Sequence, residues 1–131
     1  MALLDQKNGL VFGVANERSI AWAIAQAASR EGARMGISYQ GERLEKRVRP
    51  LAEEIDAALC MPCNVQDPEA LETYFSAAQE TFGQLDFLVH SVAFAPREAL
   101  SGRFVDTTAD GFQTALSVSA YSLTQLAAYA R

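Results

Sequence analysis

The residues best placed by type and spacing to do chemistry come early in the chain. Gly13-Val14-Ala15-Asn16-Glu17-Arg18-Ser19-Ile20-Ala21 follows a short apolar run and opens a helical pattern. A glycine where the backbone must turn, then small Ser19 and Ala21 where a helix begins, suits a pyrophosphate. Free N–H groups at a helix N-terminus point toward an anion, and a serine hydroxyl can donate or cap. The loop contains neither G-x-G-x-x-G nor G-x-x-x-x-G-K-[ST]. The same residues equally describe a capped helix packed close to a strand, so spacing alone leaves both meanings open.

Other constellations are weaker. Cys60 and Cys63 form a C-x-x-C, which in other settings is a redox pair or half a metal site. A redox pair opens a helix, where the dipole lowers a thiol pKa. Ala57 to Cys63 instead reads as a strand, in which residues three apart point to opposite faces. With His90 the only histidine, a metal would lack partners. No metal site is assigned, and both thiols are expected to be buried and reduced. His90 and Ser91, adjacent on a strand, point oppositely and make no triad, so His90 reads as a packed strand-end residue. Glu53, Glu54 and Asp56 read as a solvated helix end, and Ser119 and Tyr121 as helix-packing residues.

The elements that must position these groups alternate regularly. Gly9 to Gly13 is a nearly all-apolar strand, and Ser19 to Arg30 a helix with Ile20, Ile24, Ala27 and Ala28 at helical spacing. Met35 to Tyr39 is a second strand, followed by a charged helix from Glu42 to Ile55. Leu59 to Cys63 is a third strand. Asp67-Pro68 supplies an N-cap and a first-turn proline for a helix carrying Leu71, Tyr74, Phe75, Ala78 and Phe82 on one face. Leu85 to Val89 is a fourth strand, Ser91 to Thr108 an irregular connection, and Asp110 to Arg131 a long helix. Apolar strands separated by helices argue for βαβ units and a parallel sheet covered on both faces. The expectation is one α/β domain over residues 1–131, a doubly wound and mostly parallel sheet.

Composition narrows the function. The 131 residues carry 11 Lys and Arg against 16 Asp and Glu, a formal net charge of −5, and half are hydrophobic. Without a basic footprint, nucleic acid and anionic lipid are not expected partners. No apolar run approaches the roughly 20 residues of a spanning helix, and Met1 to Lys7 lacks the apolar stretch of a signal peptide. A cytoplasmic protein is expected.

Gly13-x5-Ser19-x-Ala21, continued as Trp22-Ala23-Ile24-Ala25, resembles the cofactor loop of the NADH-dependent enoyl-[acyl-carrier-protein] reductases, divergent short-chain dehydrogenase/reductases of fatty-acid synthesis. The likeness runs through Ser38-Tyr39-Gln40, Cys63-Asn64-Val65, His90 to Pro96, Gly111-Phe112 and Ser119-Ala120-Tyr121-Ser122. The resemblance implies that Gly13, Ser19 and Ile20 line the diphosphate of NADH, the last two through helix-terminal N–H groups. It implies that Gln40 faces the adenosine ribose, Asn64 and Val65 the adenine, and Ser91, Val92 and Ala93 the ribose on the nicotinamide side. Ala95 would approach the acyl chain of an enoyl-acyl-carrier-protein substrate, and the family's assemblies imply a homo-oligomer. The family's fold implies a Rossmann-like sheet in the order 3-2-1-4, incomplete here relative to the whole. An acid at the end of strand two signals NAD and an arginine NADP in other dinucleotide folds. Gln40 is neither, and Arg43 leaves NADPH as the lesser alternative.

Three positions depart from the family pattern: Asn64 stands where Asp is usual, and Ala23 and Ala93 where Gly is frequent. The methyl at 23 is expected to crowd helix–strand packing. In the family, hydride passes to the β-carbon of a trans-2-enoyl thioester, and a tyrosine hydroxyl with a lysine (Tyr-x6-Lys) meets the resulting enolate. The resemblance places that pair beyond Arg131, so no catalytic residue is assigned here and the chain alone is expected to be inactive. Tyr39 and Lys46 have this spacing by coincidence. At the end of strand two, Tyr39 belongs to the adenosine end, roughly 10 Å or more from the nicotinamide, since neighbouring strands lie about 4.8 Å apart.

Overall fold

Five apolar or small residues from Leu10 to Val14, then a helix, then Met35 to Tyr39, can satisfy their backbones only by lying side by side in a sheet covered on both faces. The computed structural model, which describes residues 2–131, has that arrangement. Strands β1 (Asn8–Phe12), β2 (Arg34–Tyr39), β3 (Leu59–Pro62) and β4 (Phe87–His90) form one parallel sheet in the order β3-β2-β1-β4. The register sets Leu10 opposite Gly36 on one side and Leu88 on the other.

Period-two alternation sorts the strand side chains between two helical layers. Val11, Met35, Ile37 and Tyr39 pack with α1 (Ile20–Arg30) and α2 (Glu45–Glu54). Leu10, Phe12, Leu59 and Cys63 pack with α3 (Pro68–Phe82) and α5 (Ser122–Ala130). The α3 cap is as its sequence predicts, with the Asp67 carboxylate accepting from Glu69 N at 3.0 Å. Phe12, Tyr74 and Phe75 form an aromatic cluster with centroids 5.2–5.9 Å apart. The Tyr74 hydroxyl is fully buried there without a hydrogen-bond partner. An orphaned hydroxyl costs about 1–3 kcal/mol, so Tyr74→Phe should raise stability by about 1 kcal/mol in urea unfolding.

Several boundaries and faces differ from the sequence expectations. Helix α1 buries Ala21, Trp22, Ala25 and Ala28, while Ile20 and Ile24 are 75% and 36% exposed. The alanine stripe has the same helical period, and its small side chains let the helix lie close to the sheet. Ala23 is exposed, so its methyl crowds nothing. The charged helix begins as a 3-10 turn (Glu42–Leu44) before α2, and the last helix is α4 (Ala109–Leu116) and α5 joined by a π turn, Ser117–Tyr121.

Cys60 packs on the α2 side and Cys63 on the α3 side, so the C-x-x-C straddles the sheet. Cys63 is buried but Cys60 only half-buried, because β3 is the sheet's outer strand. Burial pushes the Cys63 thiol up from 9.0 to about 12. A thiol whose pKa rises on folding stabilises the fold below its unfolded value and loses that contribution as pH rises. Stability should therefore fall between about pH 9 and pH 12, and Cys63→Ala should lessen that fall in pH-dependent melts, with the raised Cys60, Tyr39 and Tyr74 pKa values supplying the rest.

Among the described residues no helix is long and apolar enough to cross a membrane. On the α1 side, Phe87 and Val89 of β4 meet Leu4, Ile24 and Ala27 in an open apolar groove, closed at its base by a Lys7–Asp86 ion pair at 3.3 Å.

Candidate functional site

The loop leaving β1 must turn while passing close to the loop leaving β4. Gly13 does this at φ +118°, and a Cβ there would lie 2.0 Å from the Ser91 carbonyl oxygen. Ser91 N–H donates to Phe12 O at 2.9 Å, which fixes the two loops against each other. Ser19 braces the loop from its far end. Its hydroxyl oxygen accepts from Ala15 N at 2.9 Å and Asn16 N at 3.1 Å, and its own N–H donates to Asn16 O at 3.1 Å.

These bonds revise the role expected of Ser19. Its N–H is already committed within the loop, and its hydroxyl does not cap the helix. The hydroxyl proton remains able to donate. Ile20 and Ala21 begin α1, where N–H groups have no intrahelical acceptor, and no acidic residue occupies the first turn. The helix dipole is therefore left without a carboxylate at its positive end, the condition that favours an anion.

At the carboxyl ends of the strands, between these loops, lies a cleft. Of the residues singled out from sequence, Gly13, Gln40, Val65, Ser91, Val92 and Ala93 line it. Ser19 and Ile20 stand at the head of α1 outside the lining. Asn64 lies in a neighbouring depression with Gly41 and Asp67. Its Oδ1 accepts from Gln66 N at 3.0 Å, leaving one lone pair for a ligand. Ala95 lies further along the loop after β4 and is half-buried. The position is the crevice where a doubly wound sheet binds dinucleotides, at the switch between β1's neighbours. A backbone cradle that a Cβ would fill, beside a helix N-terminus, fits the diphosphate of such a ligand.

The lining also includes Val14, Ser38, Leu44 and Cys63, which sequence reasoning did not assign. Ser38 carried a signal, a buried polar residue in an otherwise apolar strand. Leu44 carried none, because it reaches the cleft through a 3-10 turn that the helical pattern conceals.

Tyr39 also borders the cleft, but its hydroxyl accepts from Arg49 Nη2 at 3.2 Å, and Arg49 in turn holds Glu45 at 2.8 Å. Burial pushes the phenol pKa up, partly offset by the guanidinium. Lys46 is exposed on α2. The Tyr39 hydroxyl is thus tied to an arginine at the β2 end. On the opposite side, His90 Nε2 lies 2.8 Å from Ser122 Oγ, making His90 a packed strand-end residue.

The family profile described as "Enoyl-(Acyl carrier protein) reductase" matches residues 13–131. The enoyl-[acyl-carrier-protein] reductase [NADH] 1 of Rhizobium meliloti is 44% identical over 128 residues, 98% of this chain and 47% of that protein. The reductase of Anaplasma phagocytophilum, solved in complex with NAD, superposes with a TM-score of 0.92 at 43% identity, covering 98% of this chain and 49% of its own. The Bacillus cereus reductase, solved with NADP+ and an indole naphthyridinone, gives 0.94 at 44% identity, with 99% and 51% covered. The chain thus spans about half the length of the curated relatives it matches. With its sheet order, its switch-point cleft and a match over nearly its whole length, the chain belongs to the enoyl-[acyl-carrier-protein] reductase family.

Proposed function

We propose that residues 1–131 form one dinucleotide-binding domain, the NADH-holding part of an enoyl-[acyl-carrier-protein] reductase of cytoplasmic fatty-acid synthesis. The cleft at the β1 switch point, with Gly13 pressed against Ser91 and α1 opening beside it, carries this reading. Ser19 Oγ–H and the Ile20 N–H hold the diphosphate, the first donating from a loop it has itself stiffened. Gln40 meets the adenosine ribose, Val65 and the free lone pair of Asn64 the adenine, and Ser91, Val92 and Ala93 the nicotinamide-side ribose. Ala95 borders the acyl chain. When bound, NADH supplies the hydride delivered to the C2=C3 bond of the enoyl thioester. A neutral Gln40 lacks both the charge that would pair with a 2′-phosphate and the charge that would repel one; NADH is preferred as in the NADH-dependent relatives, and NADPH is tolerated through Arg43.

The proton-donating chemistry of that reaction needs a tyrosine and lysine that these residues do not bring together, Tyr39 being held by Arg49. Binding without catalysis is the reading this favours for the isolated chain. The expected result is saturable NADH fluorescence on titration and no crotonyl-thioester-dependent NADH oxidation. Turnover would give Tyr39 and Lys46 a role, and absence of binding would remove the dinucleotide assignment.

Homo-oligomerisation is what the family resemblance implies; for these 131 residues taken alone, the uncovered edge of β4 and the apolar groove at Phe87 and Val89 add a surface that recruits other chains. Sedimentation velocity should find associated species, and a monodisperse monomer would contradict this.

A further inference from the structure

The wall of the cleft beyond β4 is an irregular loop, yet it is gripped at both ends by one short stretch of helix. At the near end, the Ser122 hydroxyl donates to Val118 O at 2.6 Å and so must accept from His90 Nε2, at 2.8 Å. At the far end, Ser119 Oγ accepts from Phe94 N at 3.0 Å and donates to Phe94 O at 3.1 Å. The residues between the two grips are Ser91, Val92 and Ala93, which line the cleft.

The π turn and these grips share one stretch of helix. The Ser122 N–H reaches back to Ser117 O rather than Val118 O, while the Ser122 hydroxyl donates to the Val118 carbonyl. A side chain that competes for the i−4 carbonyl opens a helix locally, and π turns recur at functional sites. Ser119 lies inside that turn and satisfies both backbone groups of Phe94, a residue with no secondary structure of its own.

We propose that Ser119 is a positioning residue that sets the 91–93 wall for the nicotinamide-side half of the bound dinucleotide. The inference rests on the dinucleotide reading above. Gln40 at the end of β2 marks the adenosine side of the cleft, and β4 lies across β1 from it. A ligand spanning the switch point therefore presents its other half to the gripped loop.

The test compares NADH with AMP, which carries only the adenosine half, on wild type, Ser119→Ala and Ser119→Thr. Ser119→Ala should lower NADH affinity roughly three- to tenfold, the loss of about one hydrogen bond's worth of ordering, with AMP affinity unchanged. Ser119→Thr keeps the hydroxyl and should restore NADH affinity, while Ser119→Ala should speed hydrogen exchange at the Phe94 amide. Unchanged NADH affinity in Ser119→Ala, or parallel loss of NADH and AMP, would overturn the positioning role alone. A wild type that binds neither ligand would overturn it together with the dinucleotide reading.

Discussion

Gly13→Ala is expected to lower NADH affinity about a hundredfold, equivalent to about 2.7 kcal/mol, and to destabilise the fold by about 2–6 kcal/mol. Two costs combine. A φ of +118° is strained for any residue with a Cβ, at about 1–3 kcal/mol. The added carbon would sit 2.0 Å from a backbone oxygen, that of Ser91, so the β1 and β4 loops must move apart, an overpacking of about 1–3 kcal/mol. The same movement widens the cradle beside α1. Gly83 supplies the control: it has φ +73°, but a Cβ added there would meet nothing within 4 Å. Gly83→Ala should carry only the conformational cost and leave NADH affinity unchanged. Calorimetric titration with urea unfolding on both variants separates the two contributions. Equal NADH affinity in Gly13→Ala and wild type would remove Gly13 from the site.

Phe12→Ala should be the most destabilising core substitution, by about 3–5 kcal/mol. Phe12 is 1% exposed and packs against both Tyr74 and Phe75, each such pair adding about 0.5–1.5 kcal/mol beyond its buried area. Domains of this kind retain only about 5–15 kcal/mol in total, so the variant should populate unfolded chain in mild urea. Because Phe12 also floors the cleft, Phe12→Leu should recover most of the stability but not all of the NADH affinity. A loss of unfolding free energy below about 1 kcal/mol for Phe12→Ala, well under the cost of emptying a packed aromatic site, would contradict the assignment of the aromatic cluster as a folding core.

The strands are legible in the sequence because period and length leave few alternatives, and their order follows from the family likeness. The apolar runs at Leu10, Met35, Leu59 and Leu88 are too short for helices and too continuous for half-exposed strands, and the helices between them impose parallel crossovers. Gly13 is legible too, as the one residue of its loop free to turn sharply. Local hydrogen bonding is less so. Ser19 looks like a helix cap by residue type, but its hydroxyl serves Ala15 and Asn16, a choice made by the loop's fold. The buried face of α1 is misread because two stripes share one period, and tertiary packing selects the alanines over Ile20 and Ile24. The π turn at Ser117–Tyr121 has no signature in the apolar pattern, and the contact of Ser122 with His90 spans 32 residues. Ser119 therefore looks like a packing residue until its contact with Phe94 is seen.

The most direct test of the dinucleotide cleft is an amide-resolved NMR titration of the chain with NADH. Shift changes should concentrate at Gly13, Ile20, Gln40, Val65 and Ser91 to Ala93, saturating together at one stoichiometric site. Changes centred instead on the apolar groove at Ile24, Phe87 and Val89, or no saturable change at all, would contradict it.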